Sequence, residues 1–303
     1  MKNLIVLIVA FIFFVSCGAS PKERTTLKKP IVTVSIAPQK YFVEQIAGDY
    51  FDVNVILPPG SVPEDFEPTP RQVKKIANSE VYFYIGHLGF EKSWIKKFTD
   101  SAKGVKYVSC SHNIDLLRGD IHDHDHDKAE KQAQGTDPHI WTSPENVKKI
   151  SRTIFEVLTN AHPDQKVVFE ANLNNFISRI DTLDNAIRTT LNDSLNHSFM
   201  VFHPALSYFA RDYHLQQHSI EFEGKSPSPA HMKEVVDIAR KENLNTIFIQ
   251  SQFETAKAEA IAKEIGAEII PVDPLAENWM DEMHSLTAKL KKSFASKGVG
   301  KTN

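Results

Sequence analysis

Four short segments of the 303-residue chain set a hard or borderline metal ligand beside proline. They are Gly60-Ser-Val-Pro-Glu-Asp-Phe-Glu-Pro-Thr-Pro70, Asp137-Pro-His-Ile-Trp-Thr-Ser-Pro144, Phe202-His-Pro-Ala-Leu-Ser-Tyr-Phe209 and Val272-Asp-Pro-Leu275. Imidazole nitrogen and carboxylate oxygen together hold first-row divalent ions, and zinc accepts either at about 2.0–2.2 Å. A further segment, Ile85-Gly-His-Leu-Gly-Phe-Glu91, places His87 just after an apolar run, where it could approach the same region. The stretch from Arg118 to Gln134 is of a different kind. Its core, His122-Asp-His-Asp-His-Asp127, has no apolar period and reads as a mobile loop. Alternating imidazoles at His122, His124 and His126 can collect zinc weakly, and a solvated surface loop would have the same composition.

Ligands that converge need strands to carry them. From Ile31 onward short β-branched runs alternate with longer helical ones, the pattern of a parallel sheet covered by helices. Strands are expected at 31–37, 53–57, 81–85 and 105–109, with amphipathic helices around 41–47, 71–79 and 91–99. A second unit follows, with strands near 199–202, 215–220, 246–249 and 268–272 and helices starting near Pro204, Ser228, Glu254 and Asn278. Ser226-Pro-Ser-Pro229 is a helix-start signal, since serine caps and proline suits the first turn. Between the units, Pro144 to Asn160 and Asp164 to Leu191 read as helix. The second is long and carries Val168, Phe169, Leu173, Phe176, Ile177, Ile180, Leu183 and Ile187 on one face, as a rigid backbone connecting two domains would. The fold class expected is α/β: two lobes, each a four-stranded mainly parallel sheet flanked by helices, joined by one long helix. The boundaries expected are 30–143 for the first lobe with its His-rich loop at 118–136, 144–195 for the linker helices and 196–303 for the second lobe. In open sheets of this kind ligands bind beyond the carboxyl ends of the strands, which is where the proline-flanked segments fall.

The first residues say where the chain works. Lys2 precedes an apolar run from Leu4 to Val15, then Ser16 and Cys17, which reads as a signal peptide too short to span a membrane at about 20 residues. Cys17 sits where a bacterial lipoprotein signal places its acylated cysteine, and the polar stretch 18–29 reads as a flexible tether. One other cysteine, Cys110, remains, so no internal disulfide is expected; it reads as a small buried residue at a strand end. Lys and Arg number 35 against 38 Asp and Glu, which supplies no basic excess for a nucleic-acid backbone.

In their order and spacing the four segments resemble the metal-binding family of ABC-importer solute-binding proteins, specifically its zinc and manganese members, and the resemblance covers nearly all of the chain beyond the signal. It implies two α/β lobes on one long helix with the ion in the cleft between them. It also implies the ligand set Glu64, His139, His203 and Asp273, with Glu64 where most members have histidine. Zinc is the ion implied. The added oxygen character of Glu64 moves the site toward manganese or iron. Asp65 and Glu67 compete for the first position, although Glu67 reads better as a residue holding the loop by hydrogen bonds. Trp141, Phe66 and Tyr208 read as packing residues that exclude water and orient the ligands. The partners implied are an importer permease with its ATPase, and a membrane reached through the lipid at Cys17. The chain would then be an exported, monomeric protein of the cell envelope. A His-rich loop before Asp-Pro-His also matches the family's zinc members.

Two rival functions remain from the sequence. A metallohydrolase would need an open coordination position, which four protein ligands on a tetrahedral zinc do not leave, so no enzyme is expected. A surface adhesion or metal-scavenging lipoprotein could use the same fold, because fold does not fix function.

Overall fold

The computed structural model describes residues 28–118, 135–192, 197–221, 228–253 and 255–295. Cys17 and the tract His122, His124 and His126 lie outside the described residues.

Two four-stranded sheets form the two lobes, in strand orders β2-β1-β3-β4 and β6-β5-β7-β8. The strands are β1 (Ile31–Val34), β2 (Asp52–Val55), β3 (Val81–Tyr84), β4 (Lys106–Ser109), β5 (Ser198–Val201), β6 (Gln216–Ser219), β7 (Thr246–Gln250) and β8 (Glu268–Val272). Every pairing between them is parallel, with Val32 opposite both Val53 and Val81 in the first sheet and Met200 opposite His218 and Ile247 in the second. In the first lobe α1 (Ala37–Ala47), α2 (Pro70–Ile76) and α3 (Gly89–Ser101) connect the strands; α4 (Pro144–Ala161) and α5 (Lys166–Asn192) follow. In the second lobe the connections are α6 (Ser207–Asp212), α7 (Pro229–Lys241) and α8 (Thr255–Ile265), and α9 (Trp279–Ala295) comes after β8.

Local chemistry explains where the elements start and stop. β1 is shorter than the apolar run suggests. The Gln39 side chain accepts from the backbone N–H groups of Ser35 (3.0 Å) and Ile36 (3.3 Å), and Pro38 sits in the first turn of α1, so the chain leaves the sheet at Ser35. Thr69, Ser143 and Ser228 each cap the helix opened by the next proline, accepting from the N–H three residues on. The helix expected near Pro204 begins at Ser207, because the carbonyl of His203 is first used by Ala205 N–H in a tight turn of 2.8 Å.

The long helix is the expected strut. Phe169, Leu173, Phe176, Ile180, Leu183, Ile187 and Leu191 form its buried stripe, whereas Val168 falls off the stripe and is 54 % exposed. The helix packs against α1, α4 and α9, so elements of both lobes rest on it. β5 shows how the second lobe is attached. Alternation along the strand puts Phe199 and Val201 in the core shared with the first lobe, and Met200 and Phe202 in a separate core against residues of α7 and α8. Polar contacts add to this joint. Trp141 Nε1–H donates to the Pro274 carbonyl (2.7 Å), Trp279 Nε1–H to the Trp141 carbonyl (2.8 Å), and Lys40 pairs with Glu277 at 2.6 Å.

Candidate metal centre

The carboxyl ends of the two sheets meet, and the segments that leave them carry the candidate ligands. Glu64 lies on the loop between β2 and α2. That loop is anchored at its far end by the Thr69 cap and by Gln72 Nε2–H bonded to the Ile56 carbonyl at 2.7 Å. Its middle rests on the start of α3, where Phe90 N–H donates to the Pro63 carbonyl at 3.1 Å. Gly89 makes this seat available, since a Cβ there would fall 2.8 Å from both Cα and O of Glu64.

His139 follows β4 after a long connection. Its segment is fixed by Tyr208, whose hydroxyl donates to the Asp137 carbonyl (2.9 Å) and accepts from Leu117 N–H (3.0 Å). A 3-10 turn at Ile140–Thr142 then leads into α4. His203 stands just past β5 at the switch point of the second sheet, where the strand order reverses between β5 and β7. From the segment after β7, Phe253 stacks on the His203 ring with centroids 4.8 Å apart and planes 20° apart.

Glu64, His139 and His203 each present one ligand atom, and these atoms all lie within 4.8 Å of one another. Both histidines are 7 % exposed, while the Glu64 side chain is 30 % exposed. The Nε2 atoms of His139 and His203 are 3.3 Å apart, and Glu64 Oε1 is 3.6 Å from His203 Nε2. Among the described residues, Glu64 Oε2 is buried with no hydrogen-bond partner.

What turns the two rings toward each other is a carboxylate behind each. Asp137 Oδ1 lies 2.9 Å from His139 Nδ1 and also accepts the backbone N–H of His139 at 2.8 Å. Glu221 Oε2 lies 2.7 Å from His203 Nδ1. A carboxylate there holds the proton on Nδ1 and leaves Nε2 with its lone pair exposed, the tautomer a metal needs. Burial pushes the Asp137 carboxyl up, but the charge of His139, its hydrogen bonds and the Ser207 hydroxyl outweigh burial and hold it below the usual carboxylate range. Two lone pairs and a carboxylate oxygen facing one point repel unless a proton or a cation lies between them. The spacing suits a cation. Two nitrogens on a tetrahedral zinc, each at about 2.0–2.1 Å, are about 3.3–3.4 Å apart.

Asp273 stands apart from this triad. Its Oδ1 accepts from Leu275 N–H and from Gln252 Nε2–H, both at 3.1 Å, and its own N–H donates to Glu282 Oε1 at 2.9 Å. Gln252, Phe253, Pro274 and Leu275 line the cavity in front of the triad together with Pro63 and Trp141. Asp65 and Glu67 are exposed, and among the described residues the loop is held by Thr69 and Gln72 with no bond from Glu67. His87 is half-buried outside the triad, and burial together with the Lys92 charge pushes its pKa down. Trp141 is buried against the His139 ring at 5.3 Å, and Phe66 packs on Phe90 at 5.4 Å. Sequence reasoning assigned no role to Asp137 and missed Glu221 and Phe253. Glu221 carries only a faint signal, a carboxylate two residues beyond the end of β6.

Comparisons with known proteins bear on the family and the fold. The family model described as zinc-uptake complex component A, periplasmic, matches residues 32–293. The zinc-binding lipoprotein AdcA of Streptococcus pneumoniae (strain ATCC BAA-255 / R6) is 28% identical over 317 residues, covering 98% of this chain and 62% of that protein. The chain therefore spans less than two thirds of the AdcA relatives it matches. The high-affinity zinc uptake system protein ZnuA of Bacillus subtilis (strain 168) is 28% identical over 276 residues, covering 88% of this chain and 86% of that one. Among solved structures, a ZnuA crystal structure matches with a TM-score of 0.81 at 38% identity, over 88% of this chain and 99% of that chain. The Zn(II)-bound ZnuA-like domain of Streptococcus pneumoniae AdcA matches with a TM-score of 0.71 at 26% identity, over 88% and 99%.

Proposed function

The chain belongs to the zinc-uptake complex component A family, and from that premise we propose that it captures zinc in the cleft between its lobes and delivers the ion to an ABC importer. The observation that carries this reading is the pair of buried imidazole nitrogens 3.3 Å apart, each ring backed by a carboxylate, with Glu64 beside them. The nitrogen pair favours zinc over manganese, which prefers oxygen donors.

Capture proceeds by ligand exchange at a prepared site. Asp137 and Glu221 keep each Nε2 unprotonated and aimed, so the ion loses water to donors already in place. Glu64, partly exposed at the mouth, supplies the negative charge that draws the cation in and then coordinates it. Asp273 is the fourth donor in this reading. Leu275 N–H and Gln252 engage its Oδ1, leaving Oδ2 to turn to the ion. Four protein donors close the sphere and leave no position for an activated water, which accords with carriage and not with hydrolysis. Partners in this reading are a permease and its ATPase, and the protein is held at the cell envelope by a lipid on Cys17. The streptococcal relative's name as a lipoprotein supports the anchor.

The test is metal analysis of the native protein followed by competitive titration with zinc and manganese. Co-purified zinc with tight one-to-one binding supports the reading. A site that prefers manganese, or holds neither ion, overturns it.

A further inference from the structure

One buried carboxylate lies outside the ligand set and its two backing carboxylates yet sits close behind the cleft. Glu91, in the first turn of α3, is 1 % exposed. Its Oε1 accepts from Ile85 N–H (2.8 Å) and from the Ser35 hydroxyl, which also meets the Tyr82 hydroxyl at 2.9 Å. Its Oε2 accepts from Gly86 N–H (2.7 Å) and Leu88 N–H (3.3 Å). Four donors occupy the carboxylate's acceptor sites, which is the condition under which a charge is tolerated in a core. Burial pushes the Glu91 carboxyl up, and these hydrogen bonds act against it.

The four bonds tie one turn, residues 85–88, to the end of β1. Gly86 takes a φ of 112° within it, a conformation other side chains resist. The turn sets the position of Gly89 and Phe90, and those two residues form the seat of the Glu64 loop. The contacts are the Phe90 N–H bond to Pro63 and the close approach of Gly89 to the Glu64 backbone. An unbroken chain of short contacts therefore leads from a core carboxylate to the backbone of a metal ligand.

We propose that Glu91 is a positioning residue for metal capture, which fixes the turn between β3 and α3 and thereby sets Glu64 at the distance from His203 that zinc requires. This rests on the reading that Glu64 coordinates zinc. Glu91→Gln replaces one acceptor oxygen by an N–H₂ group that faces N–H donors, so the turn must shift. Gly89→Ala disturbs the same seat from its other side and leaves the buried carboxylate untouched.

The experiment is a double-mutant cycle on the full chain read by competitive zinc titration. Parent, Glu64→Ala, Glu91→Gln, Gly89→Ala and the two combinations with Glu64→Ala are compared, with His139→Ala as the control for the site itself. Glu91→Gln and Gly89→Ala should each weaken zinc by about 10–100-fold in the parent, the range for residues that orient ligands. Neither should weaken it further once Glu64 is alanine, because a residue that acts through Glu64 has nothing left to position. A merely structural role would give the same loss in both backgrounds, and that result overturns the proposal. So does parental affinity in both single variants. Should Glu91→Gln fail to fold, Glu91→Asp, which keeps the charge and shortens its reach to the turn, takes its place in the same comparison. If His139→Ala and Glu64→Ala leave zinc binding intact, the reading of the site fails first and this inference falls with it. If they weaken zinc and the positioning variants do not, only the inference fails.

Discussion

Replacing Glu64 by alanine separates what the residue does for the ion from what it does for the fold. Among the described residues its Oε2 is buried without a hydrogen-bond partner, and its Oε1 lies 3.6 Å from an imidazole nitrogen. An unsatisfied buried polar atom costs about 1–3 kcal/mol, and the 30 % exposure of this side chain lowers that figure. Glu64→Ala should therefore leave the melting temperature of the metal-free protein unchanged or raise it. Zinc binding should move the other way. Loss of a residue that merely orients a ligand costs about 10–100-fold, and loss of a ligand costs at least that, or about 1.4–2.8 kcal/mol upward. Asp65→Ala is the control, because an exposed neighbour off the triad should change stability by no more than about 0.5 kcal/mol and zinc affinity little. The assay pairs thermal unfolding of the metal-free protein with competition against a chromophoric zinc chelator. Zinc binding of Glu64→Ala at the parent's strength would refute the ligand assignment, and more so if Asp65→Ala or His87→Ala were the weakened variant. Glu64→His should keep zinc and disfavour manganese, since a borderline nitrogen replaces a hard oxygen.

Glu221→Ala removes the carboxylate 2.7 Å from His203 Nδ1 and should weaken zinc by about 10–100-fold; unchanged affinity would show that the tautomer is held in some other way. Acidification should release zinc before it unfolds the protein. Imidazole binds only when unprotonated, so zinc affinity should fall as the pH is lowered. Asp137, whose carboxyl is held below its ordinary value of 3.8, contributes stability that is fully present above that value and is lost only as pH falls through its lower folded value. A zinc affinity that stays flat from neutral pH down to about 5 would contradict histidine ligation. Deleting 120–128 should remove weak zinc equivalents and keep the tight site, and calorimetry showing the same stoichiometry at saturating zinc would dismiss the tract as a collector. Trp141→Phe removes the donor to the Pro274 carbonyl and should lower stability by about 1–3 kcal/mol in chemical unfolding, with no loss expected if water replaces the indole.

The elements were legible in the chain because each rests on local chemistry. Short apolar or β-branched runs marked most of the strands to within a few residues, although β6 (Gln216–Ser219) itself carries none, and Ser226-Pro-Ser-Pro229 marked the start of α7 through its serine cap. Boundaries failed where a side chain from elsewhere intervened, as when Gln39 bonds the backbone of Ser35 and ends β1. Among the candidate ligands, Glu64, His139 and His203 come together from three separate segments, and the sequence marked them only through their proline-flanked motifs. Glu221 had no such mark. Its pairing with His203 spans 18 residues and two strand ends, and it exists only once β5 and β6 lie side by side. The bond from Gln252 to Asp273 likewise depends on how β7 and β8 finish next to each other, whereas the Leu275 bond to it is local.

The joint between the lobes bears on the heat of loading. Trp141 bonds to Pro274 and Trp279 to Trp141, while Lys40 pairs with Glu277, so the segment after β8 is fastened to the first lobe near the triad. The shared core behind it includes residues from both sheets. A receptor fastened in this way has little apolar surface left to bury when the ion arrives. Its loading should then show a heat-capacity change near zero, where a receptor that folded around its ion would show a strongly negative one.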